Sequence, residues 1–168
     1  LENSLDADAT KIQIDFIDGG KKSIYVTDNG SGMNKEDLSL AFKRHATSKI
    51  SSDSDLNNIK SLGFRGEALP SIASVSKVQV RSSVDGSTGQ EIRLINGDVV
   101  STGDIATLKG TSIHIRDLFY NVPARRKFLK SDESEKRQLV SLIRKYMLSF
   151  PLVEYKLTND SKEIYNLK

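Results

Sequence analysis

Between Lys77 and Arg116, short strand-like runs, several of them alternating apolar with polar residues (Val78 and Val80, Ile92 and Leu94, Ile113 and Ile115), are separated by glycine turns: Asp85-Gly86, Asn96-Gly97 and Lys109-Gly110. Alternation of period two marks a strand with one buried face, and short glycine turns join antiparallel neighbours. The pattern predicts three or four strands, at Lys77–Ser83, Gln90–Ile95, Val99–Ile105 and Thr111–Arg116, and commits this stretch to an antiparallel sheet. The same alternation places Ile12, Ile14 and Phe16 on one face of a strand over Lys11–Ile17. Ile24 and Val26 then point inward from Ser23–Thr27, and Asp18-Gly19-Gly20 turns the chain between the two. A last hairpin is predicted from Val153–Leu157 and Lys162–Tyr165 around Asn159-Asp160.

Helical spacing appears between these runs. Asn34 is placed to cap a helix carrying Leu38, Ala41 and Phe42 on one stripe. A second helix is expected from about Arg65 to Val75. Pro123 suits the first turn of a short helix ending near Lys130. Asp132–Ser149 is the clearest helix: Leu139, Leu142, Ile143, Tyr146 and Met147 repeat at helical spacing as a core face, and Pro151 stops it. Residues 44–62 are rich in Ser, Asp and Asn and read as a long loop of the kind that often binds ligands. The expected fold class is α+β: one domain of 168 residues, a two-layer α/β sandwich with a mixed, mainly antiparallel sheet and helices on one face.

Composition excludes several chemistries. There is no cysteine, so a disulfide framework, a thiolate metal site and a cysteine nucleophile are ruled out. His45 and His114 are the only histidines, which argues against a multi-histidine metal site. No apolar run approaches the roughly 20 residues that span a bilayer. With no leader pattern, these absences favour the cytoplasm, or the nucleus in a eukaryote, over secretion or a membrane. The net charge of +3 arises in the second half, at Arg125, Arg126, Lys127, Lys130, Lys136, Arg137, Arg144 and Lys145. That stretch reads either as a solvated helix face or as a patch for nucleic-acid phosphate.

Four clusters carry possible chemistry: Glu2-Asn3-Ser4-Leu5-Asp6-Ala7; Asp28-Asn29-Gly30-Ser31-Gly32-Met33 directly after a strand; Ala46-Thr47-Ser48-Lys49 with Gly63-Phe64-Arg65-Gly66-Glu67-Ala68-Leu69; and Gly110-Thr111. Each alone has a bland reading, as a turn, a helix start or a hairpin. Together they fit a nucleotide. A glycine-rich turn opening a helix offers free N–H groups and the positive dipole end to phosphate. A carboxylate at a strand end can accept from an exocyclic amine such as that of adenine, and adjacent glycines leave room for a flat ring. Asn3 offers an oxygen to Mg²⁺, a hard cation that stays bound to substrate phosphates.

These pieces resemble the four ATP-site motifs of the superfamily that contains gyrase B, Hsp90, histidine kinases and MutL. Arg44-His45-Ala46-Thr47-Ser48-Lys49-Ile50, Gly63–Leu69 and Leu118–Leu129 resemble the MutL mismatch-repair ATPases in particular. The resemblance covers essentially the whole chain. It implies an ATP site made by Asn3, Asp28, Gly30, Gly32, Met33, Thr47, Ser48, Lys49, Gly63, Phe64, Arg65, Gly66, Glu67, Ala68 and Thr111. Asn3 would hold Mg²⁺. Asp28 would take the adenine amino group with support from Thr111, directly or through water, and Gly32 would lie against the base. Thr47, Ser48 and Lys49 would belong to a lid near the ribose and phosphates, and Gly63–Ala68 would wrap the phosphates.

The resemblance also implies a slow ATPase that switches conformation. Mg-ATP would order the lid and favour a homodimer of N-terminal halves, coupling mismatch recognition to repair. DNA, bound without sequence specificity, and mismatch-recognition and downstream repair proteins would be its partners. In the family motif the general-base glutamate lies four residues before the Mg²⁺ asparagine, one helical turn away on the same face. Four residues before Asn3 lies upstream of Leu1, so no catalytic residue is assigned. Glu2 would point about 100° away from Asn3 on a helix. Residues 1–168 are thus expected to be a single N-terminal ATP-binding domain shortened at both ends, with its first helix incomplete and the following transducer domain absent. A DNA-binding or protein-interaction module without nucleotide chemistry is the alternative.

Overall fold

The first strand, β1 (Lys11–Ile17), buries every second residue: Ile12, Ile14 and Phe16 are at most 3% exposed. It turns through a short 3-10 segment, Asp18–Gly20, into β2 (Ser23–Asp28), which runs antiparallel to it. A computed structural model describes residues 1–43 and 67–168 of the chain. In these, eight strands form one sheet. The others are β3 (Lys77–Ser83), β4 (Thr88–Ile95), β5 (Asp98–Ala106), β6 (Gly110–Arg116), β7 (Glu154–Asn159) and β8 (Lys162–Leu167). Their spatial order is β5-β4-β3-β6-β2-β1-β7-β8. Every neighbouring pair is antiparallel except β1 with β7, so the sheet is mixed, as expected.

The helices are α1 (Glu2–Asp6), α2 (Lys35–Leu40), α3 (Ala68–Ala73), α4 (Pro123–Lys127) and α5 (Asp132–Ser149). Asn34 caps α2 by accepting from the Asp37 amide at 2.8 Å, and Ser131 caps α5 through the Ser134 amide. Pro123 opens α4, where a missing N–H costs nothing.

Strand register explains why one face of the sheet takes the helices. Ile14, Val26, Ile113, Val80 and Ile92 align across five strands, and Phe16, Ile24, Ile115, Val78 and Leu94 form the adjacent row. Under β1 and β7 these rows pack with Ile143 and Met147 of α5; under β3 and β4 they pack with Leu38 of α2 and Ala73 of α3. Burial of each such side chain is worth about 1.5–3 kcal/mol. The result is the expected two-layer α/β sandwich.

One sequence expectation is corrected. Leu142, placed on the core face of α5, is 50% exposed and stands among Ser134, Arg137, Gln138, Ser141 and Lys145. The buried stripe runs through Leu139, Ile143 and Met147, because the sheet admits a narrower band of the helix than the apolar pattern offered. The helix expected from Arg65 is described from Ala68 onward; Arg65 and Gly66 lie outside the described residues. No helix among those described is long and apolar enough to cross a membrane.

Candidate functional site

The buried rows of the sheet end in a polar one. Beyond Val26, Ile113 and Val80, the next inward positions are Asp28, Thr111 and Ser82, paired across β2, β6 and β3. An apolar sheet face that becomes polar at the strand ends, beneath the helix layer, is where a ligand can meet fixed hydrogen-bonding groups.

Asp28 is the centre of this row. Its Oδ1 accepts from the Gly30 amide at 3.0 Å and the Thr111 amide at 3.2 Å, and its Oδ2 accepts from the Ser4 hydroxyl at 2.7 Å. Three donors hold the carboxylate in one orientation. Ser4, on α1, is 5% exposed, so α1 packs directly over the end of β2. Asn29 Oδ1 accepts from the Thr10 and Lys11 amides at 2.9 and 2.8 Å, tying the segment after α1 to β2.

Two glycines have a reason inside the protein. Gly32 has φ +72°, and a Cβ there would lie 2.0 Å from the Ser83 carbonyl oxygen. Gly110 has φ +112°, and a Cβ would lie 2.1 Å from the Asp28 carbonyl oxygen. Only glycine allows these approaches without strain. The approach at Gly110 brings the Thr111 amide within reach of Asp28. Room for a ring was the sequence-level reason for glycine at 32; the backbone of β3 already requires it.

Met33 donates its amide to Ser82 Oγ at 2.8 Å. Asn3 is exposed on the same short helix as Ser4. Glu2, one residue earlier, accepts from the Tyr146 hydroxyl of α5 at 2.8 Å, which turns it toward α5 and raises the Tyr146 pKa. Glu67 is the residue before α3, its carbonyl accepting from the Ser71 amide, and Ala68 is the first residue of that helix. Thr47, Ser48, Lys49, Gly63, Phe64, Arg65 and Gly66 lie outside the described residues. The structure thus brings Asp28, Gly30, Gly32, Met33 and Thr111 together, with Asn3 on the helix above them. It adds Ser4 and Ser82, which the sequence reading missed. Ser82 left a trace: it occupies the inward position after Val78 and Val80, where a hydrophobic residue would continue the pattern.

The Leu118–Leu129 signature does a different job from its charge. The Phe119 amide donates to the Val75 carbonyl at 2.7 Å, and Asn121 Nδ2 donates to the Ser74 carbonyl at 2.9 Å, so the turn fastens the end of α3. Tyr120 reaches Asn96 in the β4–β5 turn, and Lys77 pairs with Asp117 at 2.8 Å beneath the Tyr120 ring. That ion pair, with the Lys77 hydrogen bond as the largest cause, holds the Asp117 carboxyl below its usual range. Arg125, Arg126 and Lys127 are exposed.

The opposite face of the sheet is polar. A cavity of about 430 Å³ there is lined by Asp15, Tyr25, Gln79, Arg81, Ser112 and His114 among others. Arg81 and Arg93 both pair with Glu91 at 2.7 Å. This cavity is separated from Asp28 by the sheet itself.

Known proteins resemble this chain in sequence and in fold. The family described as histidine kinase-, DNA gyrase B- and HSP90-like ATPase matches residues 1–124. The DNA mismatch repair protein MutL of Thermosipho africanus is 48% identical over the whole chain, and that of Aquifex aeolicus 45%. The chain spans 30% and 40% of the length of these two relatives. Among solved structures, the Aquifex aeolicus MutL ATPase domain complexed with ADP superposes with a TM-score of 0.78 at 36% identity, covering 99% of this chain and 59% of that one. The N-terminal domain of a DNA repair protein superposes at 0.82 with 26% identity, covering 99% and 50%. With its sandwich fold, its polar row at Asp28 and the family match over most of its length, this chain belongs to the histidine kinase-, DNA gyrase B- and HSP90-like ATPase family, and its likeness to MutL proteins runs from end to end.

Proposed function

We propose that residues 1–168 form the ATP-binding part of a MutL-like mismatch-repair ATPase. The observation that carries this reading is Asp28: a carboxylate held by three donors at the floor of the helix-covered face, in a chain similar to a MutL ATPase domain complexed with ADP. Asp28 binds the adenine amino group, supported by Thr111. Gly30, Gly32 and Met33 form the turn beside the base. Thr47, Ser48 and Lys49 act near the ribose and phosphates, and Gly63, Phe64, Arg65, Gly66, Glu67 and Ala68 wrap the phosphates. Asn3 holds Mg²⁺ together with phosphate oxygens; a single protein oxygen suits an ion that keeps water and phosphate as its other ligands. When bound, Mg²⁺ neutralises phosphate charge.

In the whole protein, ATP binding biases a conformational equilibrium toward an N-terminal homodimer, and slow hydrolysis resets it. Non-specific DNA contact and exchange with mismatch-recognition and downstream repair proteins belong to the same reading, which the repair context of the relatives supports. A cytoplasmic location fits bacterial relatives of this kind. No general base is assigned. Glu2, the carboxylate next to Asn3, is engaged by Tyr146, so these residues alone turn over ATP poorly.

Calorimetric titration with ATP, with and without Mg²⁺, tests the reading. Saturable binding that Mg²⁺ strengthens is expected. A folded protein that takes up no nucleotide at millimolar concentration refutes it, and DNA binding unaffected by ATP in the full-length protein would then favour the nucleic-acid module.

A further inference from the structure

We propose that Ser82 is a positioning residue that sets the base selectivity of the site by fixing where the Thr111 hydroxyl sends its proton. The inference rests on the nucleotide reading above. Ser82 is fully buried on β3, with none of its surface exposed. Its oxygen lies within hydrogen-bond distance of three groups: the Met33 amide at 2.8 Å, the Gly110 carbonyl at 3.0 Å and the Thr111 hydroxyl at 2.8 Å.

A serine hydroxyl has one proton and two lone pairs. The Met33 amide can only donate, so it takes one lone pair. The Gly110 carbonyl can only accept, so it takes the proton. One lone pair remains, and Thr111 satisfies it only by donating. All three contacts of Ser82 are made in this arrangement. Turning the Ser82 proton to Thr111 would forfeit the Gly110 contact. Buried polar groups take the fully satisfied arrangement, because a buried donor or acceptor left without a partner keeps its full desolvation cost.

The Thr111 oxygen, its proton spent on Ser82, can then only accept from a ligand. Asp28 beside it also only accepts. The floor of the site is therefore a row of acceptors, which at the exocyclic position matches an amine and mismatches a carbonyl. Asp28 supplies the charge. Ser82, which need not touch the ligand, keeps Thr111 from offering a proton to a carbonyl-bearing base.

The test compares ATP with inosine triphosphate, which carries a carbonyl in place of the amine, by calorimetry on the full-length protein. Wild type should prefer ATP. Ser82→Ala releases the Thr111 proton and should lower the ATP-to-inosine-triphosphate affinity ratio about tenfold, the size of one hydrogen bond's preference. Ser82→Thr, which keeps the hydroxyl, should restore it. The ratio is taken within each variant, so a general loosening that weakens both nucleotides equally leaves it unchanged. If Ser82→Ala does not fold, Ser82→Cys, nearly isosteric with a weak donor, serves in its place. An unchanged ratio in the folded variant, or a wild type that binds both nucleotides equally, overturns the role of Ser82 while the site stands. Binding of neither nucleotide by a folded wild type overturns the nucleotide reading itself.

Discussion

Replacing Asp28 with Asn separates the folding role of the carboxylate from its ligand role. In the protein, Oδ1 takes two amide donors and Oδ2 takes the Ser4 hydroxyl. An asparagine can keep its oxygen on the Gly30 and Thr111 amides. Those bonds weaken from charge-assisted to neutral, from about 1.5–3 to about 0.5–1.5 kcal/mol each. At Oδ2 an amide nitrogen replaces an acceptor, and the Ser4 hydroxyl can reverse to accept from it. Two bonds weakened by about 1–1.5 kcal/mol each predict a stability loss of about 2–3 kcal/mol. The ligand is affected separately, since the group facing its amine changes from acceptor to donor. Removing a charged acceptor from a bound amine should cost about 2–3 kcal/mol, or roughly 30- to 160-fold in ATP affinity. Denaturant unfolding and calorimetric titration measure the two effects on one preparation. ATP affinity within threefold of wild type in a folded Asp28→Asn protein would refute the assignment of Asp28 to the base.

Three further outcomes follow from the geometry. Gly32→Ala should destabilise by more than about 1 kcal/mol, since alanine at positive φ costs about 1–2 kcal/mol and its Cβ would sit 2.0 Å from the Ser83 carbonyl oxygen; an unchanged unfolding midpoint would contradict this. Leu157→Ala, at a side chain with no exposed surface between Ile14 and α5, should lose about 2–5 kcal/mol in denaturant unfolding. The Asp85 carboxyl accepts from the Ser87 and Thr88 amides and the Ser83 hydroxyl, which lowers its pKa from 3.8 to about 2. Its folded pKa lies below its unfolded value, so its contribution is present above about pH 4 and lost as pH falls toward 2. Carbon-detected NMR titration of Asp85 with a midpoint near 4 would show the turn does not hold it.

Particular residues show how far the sequence could be read. The strands were legible because Ile12, Ile14 and Phe16, or Val78 and Val80, alternate against polar neighbours, and a one-residue slip would expose them all. The cap at Asn34 is equally local. Leu142 was misread because helical periodicity states which residues share a side, whereas the width of the buried stripe depends on the opposing sheet. The partners of Asp28 were legible only in part. Thr111 follows a glycine in a recognisable pair, but Ser4 and Ser82 are serines in ordinary surroundings, and their roles depend on what lies across the fold.

By itself the sequence determined the strand and helix periods and the turns, and it singled out Asn3, Asp28, Gly30, Gly32 and Thr111 as candidates for a nucleotide site. Those features arise from contacts within a few residues, or from motifs whose spacing survives linear reading. The tertiary structure alone decided that β2, β6 and β3 lie side by side in a register that ends their apolar rows in Asp28, Thr111 and Ser82. It also decided why position 32 must be glycine, since Ser83 is 51 residues away along the chain and 2.0 Å from where a Cβ would stand. Strand pairing at that separation is set by the summed burial of whole rows, which no local segment encodes.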